Sequence, residues 1–249
     1  MTLFTDLVQP YAAEAGALLV VIMSVGIMIQ DHDARKRQAE GRLPETWRHD
    51  SYFRTIRQLW LMAALALLAW ALSGNSLAEI GLTLGSGWRM AASWIIVGLI
   101  LALMVLDFMR LVFGRAYREQ AFAQFEKAPE LDLIRPRTIR EGRAFQGVAI
   151  TAGITEEIVY RGFMIAALGS VIPVWAAAIA AGALFVALHA YQGGLGMLKV
   201  TGITLVLTGL YLLGGSLFPV IVLHIGVDLL AGGAFILMLK SRGTAQATT

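Results

Sequence analysis

The residues able to do chemistry in this chain gather in its second half. TEEIVYRGF, Thr155 to Phe163, sets two adjacent carboxylates and a guanidinium, Glu156, Glu157 and Arg161, between the apolar stretches FQGVAITAGI and MIAALG. LFVALHAY carries His189, and VLHIGVDLL carries His224 and Asp228. Glu157 and Arg161 stand at i, i+4, so on a helix they share a face and can pair. Glu156 then points about 100° away around the helix and stays available. His224 and Asp228 have the same spacing, and Phe185 lies one turn before His189. A carboxylate held in a low-dielectric pocket suits a general base near neutral pH. Imidazoles facing it can donate hydrogen bonds to a developing oxyanion. Glu156, His189, His224 and Asp228 are equally a plausible ligand set for a divalent metal such as zinc. Either arrangement activates water, so hydrolysis is the natural reaction class. Proton-coupled transport is the competing use of buried Glu and His.

The elements that hold these residues must be membrane helices. The 249 residues are 57% hydrophobic and 15% charged, with a mean hydropathy of +0.69. A soluble domain is about 45–50% apolar and about 25% charged. The apolar residues also cluster in long runs, which predicts an all-α, polytopic helix bundle forming a single integral membrane domain over residues 1–249. Spans are expected near 11–30, 58–74, 91–113, 144–169, 172–190, 197–213 and 217–239, seven in all. Residues 75–90 could add a membrane-surface element, making eight. There is no cysteine, so disulfides and thiolate metal sites are excluded. MTLFTDLVQP has neither a basic n-region nor an A-x-A-like cleavage site, so it is not read as a cleaved signal peptide.

The basic residues sit in two loops. Residues 31–57 carry Arg35, Lys36, Arg37, Arg42, Arg48, Arg54 and Arg57; residues 110–143 carry Arg110, Arg115, Arg118, Lys127, Arg135, Arg137, Arg140 and Arg143. The alternate side has only Arg89, and the tail has Lys240 and Arg242. The positive-inside rule then gives N-terminus out, both basic loops in and C-terminus in. The arginines thus serve topology and do not call for nucleic acid. Asp107 beside Arg110 reads as an interfacial pair, Lys199 as a snorkelling side chain, and His32 and His49 as solvated.

The fourth span is costly. A charge at a helix centre costs about 2.5–3.5 kcal/mol on insertion scales, so Glu156, Glu157 and Arg161 together cost roughly 8–10 kcal/mol before pairing. That span must be enclosed by other helices or line a water-filled cavity. As placed, the spans put His189 near the inner face, Glu156 near the middle and His224 in the outer half. The three meet only if helices tilt, break or end elsewhere. Gly153, Gly162, Gly182 and Gly226 would permit close approach.

EEIVYRG resembles the EExxxR motif of the CPBP family, the CAAX proteases and bacteriocin-processing enzymes also called Abi or type II CAAX prenyl endopeptidases. LFVALH resembles its FxxxH motif and HIGVD its HxxxN or HxxxD motif, in the same order and on late spans, over about residues 140–230. The resemblance implies an intramembrane endopeptidase with its site in the C-terminal half. It makes Glu156 the base that activates water, and Glu157 the residue that orients the site with Arg161. His189 would be a contact to the water or the base, and His224 with residue 228 the oxyanion site. Eukaryotic members have Asn where this chain has Asp228; bacterial members carry either. Family members have been described both as metalloproteases and as metal-free glutamate enzymes. The metal-free form, with no cofactor required, is the favoured expectation and zinc the other. The implied partner is a membrane-associated peptide or protein, such as a peptide pheromone, a bacteriocin leader or a membrane-protein terminus. The implied setting is a bacterial cytoplasmic membrane. A non-catalytic scaffold, immunity or regulatory protein on the same fold is the rival.

Overall fold

In hydrocarbon every backbone N–H and C=O must be satisfied within its own segment, so apolar runs of this length become helices. The computed structural model describes residues 9–126 and 129–246. Lys127, counted above in the second basic loop, lies outside them, as do residues 1–8 and the side chain of Arg242. The described residues form α1 (Ala12–Ala39), α2 (Trp47–Leu72), α3 (Trp88–Phe113), α4 (Arg115–Glu126) and α5 (Ile139–Glu156). A π-helical segment, Glu157–Met164, follows directly. Then come α6 (Ile165–Gly169), α7 (Val174–Leu188), α8 (Gly193–Gly214) and α9 (Leu217–Gln246). Short 3-10 turns lie at Gln9–Tyr11, Pro129–Leu133 and Ala190–Gln192. No strand occurs among the described residues.

Among the described residues, five helical segments are long and apolar enough to cross a bilayer: Gln9–Ala39, Trp47–Leu72, Trp88–Phe113, Ala190–Gly214 and Leu217–Ser241. Their outward faces are apolar. On α3, Ile95, Leu99, Leu103 and Leu106 form an exposed stripe, and on α1 so do Leu18, Ile22, Val25 and Ile29. Contiguous exposed aliphatic surface of this kind belongs against lipid. The chain is an integral membrane protein.

Helix covers each of the seven expected segments, but several boundaries move. α1 and α2 run well into the first basic loop, ending at Ala39 and starting at Trp47. The second basic loop is not irregular; it holds the helix α4 and a 3-10 turn. The fourth segment starts at Ile139, five residues before the expected 144. There Thr138 and Glu141 form a capping box, with Glu141 N donating to Thr138 Oγ1 at 3.1 Å and Thr138 N to Glu141 Oε2 at 3.3 Å. From there an unbroken helical run, α then π then α, reaches Gly169.

Residues 73–87 form no surface helix. Gly74, Gly81, Gly85 and Gly87 all have positive φ and turn the chain repeatedly. The loop is fastened to the start of α9, where Leu217 N donates to Gly81 O at 2.8 Å and Ser216 Oγ to Thr83 O at 2.6 Å. Its Ile80 is fully buried. Asp107 accepts a hydrogen bond from Tyr117 Oη at 2.7 Å, so its partner is α4 and not Arg110. Lys199 is exposed, as a snorkelling side chain requires.

The π segment is the centre of the bundle. All eight of its residues are buried, and it touches α1, α2, α7 and α9. The most extensive helix packing is of α5 on α9, then of α5 on α2. The charged span is therefore enclosed by other helices, as its insertion cost demands.

Candidate active site

Two glycines fix the backbone around the charges. A Cβ on Gly153 would lie 2.8 Å from Ile225 N and 3.1 Å from Ile225 Cα, so α5 and α9 touch backbone to backbone there. One turn along α5 this contact delivers Glu156 and Glu157, and one residue back on α9 it delivers His224. A Cβ on Gly162 would lie 2.9 Å from Ile80 O, where the 73–87 loop packs behind the π segment. π turns are uncommon and recur at functional sites.

Glu157 is fully buried and Arg161 nearly so. Arg161 Nη1 donates to Glu157 Oε1 at 2.9 Å, so the pair read from the spacing is present. The same Oε1 accepts from His224 Nδ1 at 2.6 Å. Arg161 Cζ lies 4.2 Å from the centroid of the Phe185 ring, a cation–π contact that covers the guanidinium face. Glu157 is therefore a strut: it joins the π segment to α9 and sets the His224 ring.

The other edge of His224 faces the two remaining carboxylates. Its Nε2 is 3.8 Å from Glu156 Oε2 and 3.6 Å from Asp228 Oδ2. Side-chain exposure rises along this row, from 0% at Glu157 to 8% at His224, 14% at Glu156 and 35% at Asp228. The group thus has a sealed end and an open end, and Glu156 lies at the transition. Three carboxylates meet one guanidinium and one imidazole, and His224 Nε2 is where Glu156 and Asp228 converge, so a proton can pass there.

His189 arrives by a different route. α7 has 15 residues, about 22 Å at 1.5 Å per residue, which is shorter than the roughly 30 Å hydrocarbon core. His189 sits at the C-cap of this short helix. His189, Glu156 and His224, expected at different depths, lie around one group here, His189 and His224 against Phe185 and His224 against Glu156. Phe185 is the shared wall, with ring centroids 4.6 Å from His189, 6.2 Å from His224 and 5.3 Å from Tyr160. His189 Nδ1 is 2.8 Å from Phe185 O. A carbonyl only accepts, so Nδ1 carries the proton and Nε2 of the neutral ring keeps its lone pair.

The structure thus joins Glu156, Glu157, Arg161, His224 and Asp228 through charge contacts, and brings in His189 across Phe185. Two residues escaped the sequence reading. Tyr160, whose Oη is 3.0 Å from Ser24 Oγ, ties the π segment to α1. Tyr191 has its ring centroid 5.8 Å from that of His189. The T-x-x-E cap at Thr138 was legible and would have set the start of α5; nothing in the sequence marks either tyrosine.

Among the described residues no group of three or more His, Asp and Glu side chains is placed to hold an ion. Both Nδ1 atoms are engaged, with Phe185 O and with Glu157, so Nε2 is the ring atom that each histidine leaves open.

Comparison with known proteins adds one finding. Residues 143–230 match the family model described as Rce1-like, type II CAAX prenyl endopeptidase Rce1-like. No curated protein and no solved structure matches the chain. The matched stretch contains all three motifs and every residue of the charged group, so that residues 143–230 are similar to the Rce1-like type II CAAX prenyl endopeptidases, a protease family.

Proposed function

We propose that this protein is an intramembrane endopeptidase that hydrolyses a peptide bond with glutamate-activated water. The observation that carries the reading is Glu156, a partly exposed carboxylate set beside a sealed Glu157–Arg161–His224 strut. Glu156 takes a proton from water, and the hydroxyl oxygen attacks the scissile carbonyl carbon. His189 Nε2 accepts the water's other hydrogen and so aims the oxygen. The carbonyl π electrons move to oxygen. That oxyanion is met by a proton on His224 Nε2 and, when Asp228 is protonated, by its hydroxyl. Collapse breaks the C–N bond, and Glu156 returns its proton to the leaving amine. Glu157 and Arg161 contact no substrate in this scheme; they hold His224 in register. No step runs through a metal.

The same reading assigns seven crossings: the five long segments, Ile139–Gly169 and Val174–Leu188. The basic ends of α1 to α5 then face the cytoplasm of a bacterial cell, and the substrate is a membrane-associated peptide or protein terminus. The test is Glu156→Gln, which keeps shape and removes the base. Cleavage of a peptide library by purified protein should fall by at least about 10²-fold, while the variant accumulates in the membrane. A Gln variant that cleaves like wild type ends the mechanism. A non-catalytic scaffold instead predicts no cleavage dependent on Glu156 at all.

A further inference from the structure

The His189 ring has two aromatic neighbours. Phe185 lies at 4.6 Å with a 40° tilt, and Tyr191 at 5.8 Å with a 30° tilt. Phe185 precedes the imidazole on α7, and Tyr191 follows it on the 3-10 turn Ala190–Gln192. The ring thus lies beside two aromatic side chains while Nδ1–H is tied to Phe185 O. A flip about χ2, which would exchange Nδ1 and Nε2, breaks that bond, and a swing about χ1 carries the ring away from its aromatic neighbours.

The turn that carries Tyr191 is itself pinned. Gln192 Nε2 donates to Tyr191 Oη at 3.2 Å. Gly193 has φ +73°, a left-handed conformation that suits glycine. A Cβ at that position would meet Glu130 Cγ at 2.5 Å, so the 3-10 turn Pro129–Leu133 backs it closely. The Tyr191 hydroxyl also has Glu156, Asp31 and Asp228 as electrostatic neighbours.

We propose that Tyr191 is a positioning residue: with Phe185 it clamps the His189 imidazole in one tautomer and one rotamer, so that Nε2 alone is presented to the group around Glu156. The inference rests on the endopeptidase reading for its catalytic consequence, but not for the clamp. The sequence neighbours the clamp with glycine on one side only, and a ring two residues beyond a helix C-cap has no periodicity that would announce it.

The experiment uses the full chain in detergent with 15N-labelled histidine. There are four histidines, and His189→Gln assigns the signal. Wild type should show His189 in a single neutral tautomer with Nδ1 protonated. Tyr191→Leu should show averaged tautomers and lower kcat by about 10–100-fold, the range for a catalytic group misplaced by about 1 Å, with KM within about 3-fold. Tyr191→Phe keeps the ring and should restore both readouts. A Leu variant with wild-type tautomer and kcat overturns the clamp, and so does a Phe variant as impaired as Leu. If wild type cleaves no peptide, the endopeptidase reading falls, and the tautomer measurement still decides the clamp.

Discussion

Removing the Arg161 guanidinium isolates the strut that organises the site. Glu157 is fully buried, and its Oε1 has two donors, Arg161 Nη1 at 2.9 Å and His224 Nδ1 at 2.6 Å. Arg161→Ala leaves that carboxylate with His224 alone. Breaking a buried pair by removing one partner costs about 3–5 kcal/mol. The guanidinium also lies 4.2 Å over Phe185, a contact that reaches about 2 kcal/mol when desolvated. Part of that is already counted in the loss of burial, so about 3–5 kcal/mol is the expected destabilisation. At about 2–4 °C per kcal/mol for a chain of this size, thermal unfolding in detergent, followed by tryptophan fluorescence, should move down by roughly 6–20 °C. Arg161→Lys should lose less, because the charge remains and only the flat stacking on Phe185 goes. Glu157 Oε2 and Arg161 Nη2 have no hydrogen-bond partner among the described residues, so the pair is not fully satisfied. Replacing both partners, Glu157→Gln with Arg161→Met, should therefore cost less than Arg161→Ala alone. An Arg161→Ala variant that melts within roughly 2 °C of wild type would refute the strut.

Asp228 separates two mechanisms: if it and His224 serve an oxyanion, Asp228→Asn should keep or raise cleavage, since an amide always donates, and Asp228→Ala should lose roughly 10²–10³-fold. A metal site predicts the opposite for Asn, with partial rescue by added zinc. Gly153→Leu should lower stability by about 1–3 kcal/mol and reduce kcat with it, because a Cβ 2.8 Å from Ile225 N must push α9 and His224 away; unchanged melting would show that the helices separate freely. Single cysteines at exposed positions test the orientation in this cysteine-free chain. Glu40→Cys and Gln120→Cys should react with an impermeant thiol reagent only from the cytoplasmic side, and Ser86→Cys only from the other; labelling of 40 and 86 from one side would overturn the seven-crossing assignment.

Composition and run length alone settle that this chain is a helical membrane protein, because lipid leaves an apolar run no other way to satisfy its backbone. Local spacing settles the Glu157–Arg161 pair, because residues four apart on a helix are neighbours whatever surrounds them. The three motifs, read as types and order, locate the charged group on the right segments. Tertiary structure decides the rest. That His189 sits at a helix end beside Phe185 follows from α7 ending after 15 residues, and helix ends depend on what the next turn packs against. That Glu157, and not Glu156, takes both Arg161 and His224 follows from the π turn and from the backbone contact at Gly153. Phe185 and Tyr191 become the walls of His189 only once α7 and its 3-10 turn are folded. Sequence carries periodicity within one segment, whereas a site shared among α5, the π segment, α7 and α9 is set by how their surfaces fit, which no single segment encodes.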